Sequence, residues 1–195
     1  MPRLLCKSLL IAIAMLLPVG VVAAPLNYAL EARSSEVGFV FTLNKTAAKG
    51  SMPVRSAEIT IDPAALQRSS VDVTVDVRKA RTGFIFATEA LKAASVLNAK
   101  KYDNIRFTST RIRLNGAGQL SDGAKIDGNL TIRGITRPVT LNAALFRQRG
   151  SEAGDLSRLS FRINGTVSRS AFGASGYANL VDDTVQLNIV ARVKR

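Results

Sequence analysis

An all-β fold, an antiparallel barrel of about eight strands with one short helix, is what this 195-residue sequence predicts. Three observations predict it. Apolar and polar residues alternate through most of the chain, which is the period of a strand with one buried face. A single stretch departs from that period with the Ala, Leu, Lys and Glu composition of a helix. Several alternating runs reach eight to ten residues, longer than the usual ~5–6. Strands apolar on one face must bury those faces together, in two stacked sheets or a closed barrel, and their length favours the barrel.

The chain opens with a leader. Arg3 and Lys7 precede an apolar run over 9–22, broken at Pro18, and small residues follow. This order predicts a secretory signal peptide over 1–23, cleaved after Ala23 with Val21 and Ala23 as the small pair. The apolar run is shorter than the ~20 residues a membrane span needs. What remains, 24–195, is long enough for one domain with a full core.

The first expected strand covers 28–32. In the next, Val37, Phe39, Phe41 and Leu43 share a face, with only Val40 off phase. Ala57, Ile59 and Ile61 alternate with Glu58, Thr60 and Asp62 until Pro63 ends the run. Val71, Val73, Val75 and Val77 alternate with Asp72, Thr74 and Asp76. GFIFA then places Phe84 and Phe86 on one face. ATEALKAASVLNAKKYD, from Ala87, predicts the helix, with Leu91 and Val96 or Leu97 turned inward.

Ile105 and Phe107 share one phase and Ile112 and Leu114 the other, which predicts a bulge near Ser109 and Thr110. Ile126, Leu130 and Ile132 form the next face, with Gly128 lacking a side chain. In GNLTIRGITRPVTL, 128–141, proline donates no ladder hydrogen bond, so 134–138 is expected to connect two strands of a hairpin. Val139, Leu141, Ala143 and Leu145 follow. Leu159, Phe161, Ile163 and Val167, then Val185, Leu187, Ile189, Ala191 and Val193, define the last two strands. Segments 116–123 and 150–155 are expected loops.

Composition removes whole classes of chemistry. The chain has no histidine and no tryptophan, and its single cysteine, Cys6, lies in the leader. Disulfides, Cys/His zinc sites, Ser-His-Asp triads and Cys-His pairs are therefore excluded from 24–195. Glu31, Glu36, Asp62, Asp72 and Asp76 are scattered along strands, without the paired spacing of a glycosidase. No metal and no enzymatic activity are expected. The formal charge is +13, falling to +11 once Arg3 and Lys7 leave. Such a charge favours polyanions. For an exported protein that means anionic head groups rather than nucleic acid, and no stacking platform for single strands is visible. A merely soluble basic surface fits the charge equally well. Periodicity leaves the interior open: an eight-stranded barrel lies at the border between a filled core and a one-ligand cavity.

Three segments resemble the YceI-like family of periplasmic polyisoprenoid-binding proteins. GNLTIRGITRPVTL is similar to its G-x-L-T-I-R-G-V-T-K-P-V-x-L signature. SRSAFGASG, 168–176, resembles its R-S-x-F-G-I motif. TEALKAASVLNAKKYDNIRFTST resembles its short helix followed by K-Y-P-x-I-x-F, although Asp103 stands where proline is usual, and histidines common in the early strand are absent. The resemblance implies a lipocalin-like barrel and a periplasmic protein that sequesters or carries a polyisoprenoid, a ubiquinone-like quinone or a polyprenyl phosphate. The expected lining is Phe39, Phe41, Phe84, Phe86, Phe107, Leu141, Phe161, Ile163, Phe172 and Leu187. Arg33, Arg133, Arg137 and Arg169, near strand ends, are the candidates for a charged head group. The isoprenoid lipid is the expected partner, with peripheral contact to anionic membrane, no nucleic acid, and an open oligomeric state that includes a homodimer. The competing expectation is a filled barrel whose basic surface docks on anionic membrane or a partner.

Overall fold

The computed structural model describes residues 24–62, 64–116, 122–146, 152 and 155–195. The expected leader with Cys6, Pro63, and most of the expected loops at 116–123 and 150–155 lie outside the described residues. Eleven strands and one helix follow one another: β1 (Leu26–Leu30), β2 (Glu36–Leu43), β3 (Thr46–Met52), β4 (Val54–Ile61), β5 (Ser70–Asp76), β6 (Arg81–Thr82), α1 (Ile85–Lys92), β7 (Asn104–Leu114), β8 (Ala124–Ile132), β9 (Ile135–Phe146), β10 (Arg158–Ser168) and β11 (Thr184–Lys194).

These segments make eight barrel staves. β1 and β2 are one long strand kinked at the Ala32–Ser34 turn, and β3 and β4 are another, kinked at Pro53. β2 pairs with β3, β1 with β4, and both β1 and β2 lie along β11. From β4 the ladder runs through β5, β7, β8, β9 and β10 to β11. Every neighbouring pair of staves is antiparallel, and the β1–β11 pairing closes the ring, so no long edge is left to template aggregation. The two-residue β6 sits beside β3.

Sequence and local geometry agree at most positions. Even-numbered residues from Ala124 to Leu130 on β8 are buried, and the partner register is Ile126 to Leu141. The ladder between β7 and β8 shifts register between Ser109 and Arg111, at the expected bulge. The helix starts two residues before Ala87 and stops at Lys92, where Ala93 turns to an extended conformation. β3 was not expected. Its sequence, TAAKGSM, carries too little apolar contrast to signal a strand.

The hairpin of 128–141 turns earlier than expected. Arg133 (φ 53°) and Gly134 (φ 74°) form the two-residue turn, with positive φ at both positions as in a type I′ hairpin. Pro138 lies inside β9, opposite Asn129. It is tolerated because β10 pairs with β9 only as far as Asn142, so at Pro138 the strand carries a single ladder, like an edge.

Two glycines explain why large inward side chains do not fill the barrel. A Cβ on Gly128 would lie 2.5 Å from two ring atoms of Phe107, and one on Gly50 would lie 2.3 Å from Phe39. Each ring therefore lies against bare backbone, where a side chain would hold it further from the wall. Gly128→Ala is expected to force Phe107 into the interior and lower stability by roughly 1–3 kcal/mol, the range for overpacking. A fall in the urea midpoint at unchanged slope is the readout.

Candidate functional site

The barrel encloses a cavity of about 700 Å³, within the ~300–1,000 Å³ typical of ligand pockets. Its wall comes from the inward positions of all eight staves. β2 contributes Phe39 and Phe41, whose rings are 6.1 Å apart and tilted by 32°. β7, β8 and β9 supply Phe107, Leu130 and Leu141. β10 and β11 supply Phe161, Ile163 and Leu187. Ala124 and Ala143 face one another across β8 and β9, and Ile163 pairs with Ala143 across β10, so small side chains keep one side of the wall low.

Few polar residues contribute to that wall: Ser35, Thr60, Ser69, Tyr177 and Arg169. Outside, the staves are charged. Arg106 reaches Asp72 at 2.7 Å, and Arg113 reaches Asp127 at 2.7 Å. The Arg106 guanidinium holds the Asp72 carboxyl below its ordinary range, and Arg113 with Thr140 does so for Asp127. This is apolar inside and ionic outside, the reverse of a membrane-spanning barrel. Among the described residues no helix is long and apolar enough to cross a membrane, and no three His, Cys, Asp or Glu side chains converge to hold a metal.

The two ends differ. At one end the segment after β4 turns on Asp62, whose fully buried carboxylate accepts from Arg68 Nε at 2.8 Å and from the backbone N–H groups of Ala64 and Ala65 at 3.0 Å. Burial pushes this carboxyl up, but the Arg68 guanidinium and the two N–H groups outweigh it and the net shift is down. The other end carries α1, the turns over 93–101 and the loop over 169–183. Here Leu97, Phe172 and Ala174 are buried. The cavity reaches the surface at this end, because Phe84, Phe86, Tyr177 and Leu180 line it while remaining 63%, 87%, 47% and 40% exposed.

All ten residues expected on the wall lie on it, eight of them inside the barrel body or its cap. Phe84 and Phe86 differ. They do not alternate on a strand: Phe84 precedes the first turn of α1 and Phe86 lies within that turn, so both stand at the mouth.

The four arginines do not converge. Arg33 lies outside, in a groove with Lys79, Arg81 and Arg192. Arg133 donates to the carbonyls of Ala94 and Val96, tying the β8–β9 turn to the segment after α1. Arg137 makes a long contact, 3.4 Å, to the Ala171 carbonyl. Arg169 reaches the cavity, but its guanidinium donates to the carbonyls of Ala174 (2.5 Å), Gly176 (2.7 Å), Val181 (3.0 Å) and Asp182 (3.1 Å). Those bonds hold the loop to the end of β10. Tyr177 and Leu180 escaped sequence reading because they sit in an irregular segment with no period to place them.

Residues 28–193 match the family model described as the YceI-like domain. A UPF0312 protein of Serratia proteamaculans is 31% identical over 130 residues, covering 67% of this chain and 65% of that protein. The crystal structure of BcnA from Burkholderia cenocepacia superposes with a TM-score of 0.71 at 22% identity, over 84% of this chain and 99% of that one. A polyisoprenoid-binding domain from Saccharophagus degradans superposes with a TM-score of 0.61 at 13% identity, over 86% of this chain and 97% of that one.

Proposed function

The chain belongs to the YceI-like family, and from that premise and its cavity we propose that it is a periplasmic protein that sequesters or carries a polyisoprenoid, without acting on it chemically. The carrying observation is the wall: eight staves present Phe, Leu, Ile, Val and Ala to one continuous space. A long isoprenoid gains about 25 cal/mol for each Å² it removes from water, so affinity needs no polar recognition inside. β7, β10 and β11, with 11 residues each, are ~36 Å long at ~3.3 Å per residue, a length that suits an extended chain of several isoprene units. The likeness to a polyisoprenoid-binding domain supports the same reading. The signal-peptide pattern read in the sequence over 1–23 supports export, with a quinone or a polyprenyl phosphate as the cargo. The space inside the barrel counts against the competing reading that requires a filled one.

Expression with the leader intact, detergent-free purification from the periplasm and native mass spectrometry test this. The expected result is extra native mass, released on denaturation, whose fragments step by isoprene units. A bare protein mass, unchanged after incubation with quinones and polyprenyl phosphates, overturns it.

A further inference from the structure

We propose that the helix-bearing end of the barrel docks on an anionic phospholipid surface, with Phe84, Ile85 and Phe86 entering the interface beside Tyr177 and Leu180. Large apolar side chains exposed together on a monomer mark an interaction site. Ile85 is 76% exposed, and of the six large hydrophobics exposed among the described residues, all lie at this end.

The pieces are joined by backbone contacts. The Asn44 N–H donates to the Leu180 carbonyl at 2.9 Å, and the Gly83 N–H to the Lys49 carbonyl at 3.3 Å. Lys45 therefore follows the residue bonded to Leu180, and Lys49 is bonded to the residue before Phe84. Neither lysine makes an ion pair among the described residues.

Charge selects the occupant. In the segments that form this end, 44–45, 83–103, 133–137 and 169–183, seven Lys and Arg stand against four acids. Glu89 is paired with Lys92, Asp103 with Arg55 and Arg78, and Asp183 accepts from the Ser170 N–H; Asp182 is the remaining acid. At the opposite end, among the described residues, Arg68, Arg158, Lys194 and Arg195 stand against Asp62, Asp122, Glu152 and Asp155, an even balance. An apolar wedge ringed by cations matches an anionic bilayer, which supplies hydrocarbon below and phosphate above. A second copy of this chain would bring the same excess of positive charge against itself. For its purpose, loading and unloading of cargo through the adjoining mouth, the docking rests on the carrier reading.

The chain has no tryptophan, so Ile85→Trp supplies a single fluorescent reporter outside the cavity wall. Its emission is expected to shift to the blue on phosphatidylglycerol-containing vesicles, to be quenched by brominated acyl chains, and to recover in high salt. Phosphatidylcholine vesicles alone should leave it unchanged. Ile85→Asp should weaken vesicle binding about 10-fold and leave isoprenoid binding in vesicle-free solution intact. No response to anionic vesicles overturns the docking while isoprenoid binding, if present, preserves the carrier reading. A blue shift without vesicles that follows protein concentration overturns it in favour of self-association. A response to anionic vesicles from a protein that takes up no isoprenoid upholds docking and removes the carrier reading alone.

Discussion

Ile163→Arg is expected to abolish isoprenoid uptake. Ile163 lines the cavity and packs beside Ile112, Ala124, Ile126 and Leu141, so a guanidinium there meets no carboxylate on the wall. A buried unpaired charge costs several kcal/mol, and it also removes the apolar surface that the lipid would cover. Because such a charge endangers the fold itself, Ala143→Phe is the companion variant. It stays neutral and fills space between Ile163 and Ala124 on neighbouring staves. Displacing about 100 Å² of lipid contact removes ~2.5 kcal/mol, a roughly 70-fold loss of affinity. Titration with a fluorescent isoprenoid analogue reads both variants. Full binding by a folded Ala143→Phe protein would take that side of the wall out of the cargo site.

Arg169→Ala is expected to cause the largest loss of stability among single changes at the mouth. Its guanidinium serves four carbonyls of the loop over 170–182. Removing a charged donor from such acceptors costs roughly 2–4 kcal/mol after water has replaced part of the bonding. Arg169→Lys should recover little, because an ammonium is a point charge without the planar fork that spans several acceptors. Hydrogen exchange offers the local readout: amides over 170–181 should lose protection in Arg169→Ala while those of β8 and β9 keep theirs. Uniform loss across the barrel would instead mean that Arg169 supports the whole fold.

Where sequence reasoning erred, a tertiary neighbour decided the outcome. Pro138 sits in a strand because β10 ends its pairing at Asn142. Phe84 and Phe86 read as alternating strand residues, yet they begin a helix at the mouth. TAAKGSM has no apolar period, and forms β3 because β2 on one side supplies a complete ladder from Val37 to Leu43. Arg169 was legible as an arginine near a strand end. The four carbonyls that claim it come from a loop whose path no local pattern records.

All strands except β3 and the short β6, their inward faces, the bulge in β7, the helix and the family signature were legible along the chain. These depend on periodicity and on residue types a few positions apart, information carried locally along the chain. The cavity is a product of the assembled barrel alone. Whether phenylalanines fill a barrel depends on what the neighbouring strand places under each ring, and here Gly128 and Gly50 let Phe107 and Phe39 lie against the wall. Barrel closure also gathers the exposed aromatics and unpaired lysines at one end, because 44–45, 83–103 and 169–183 meet there and nowhere in the linear chain.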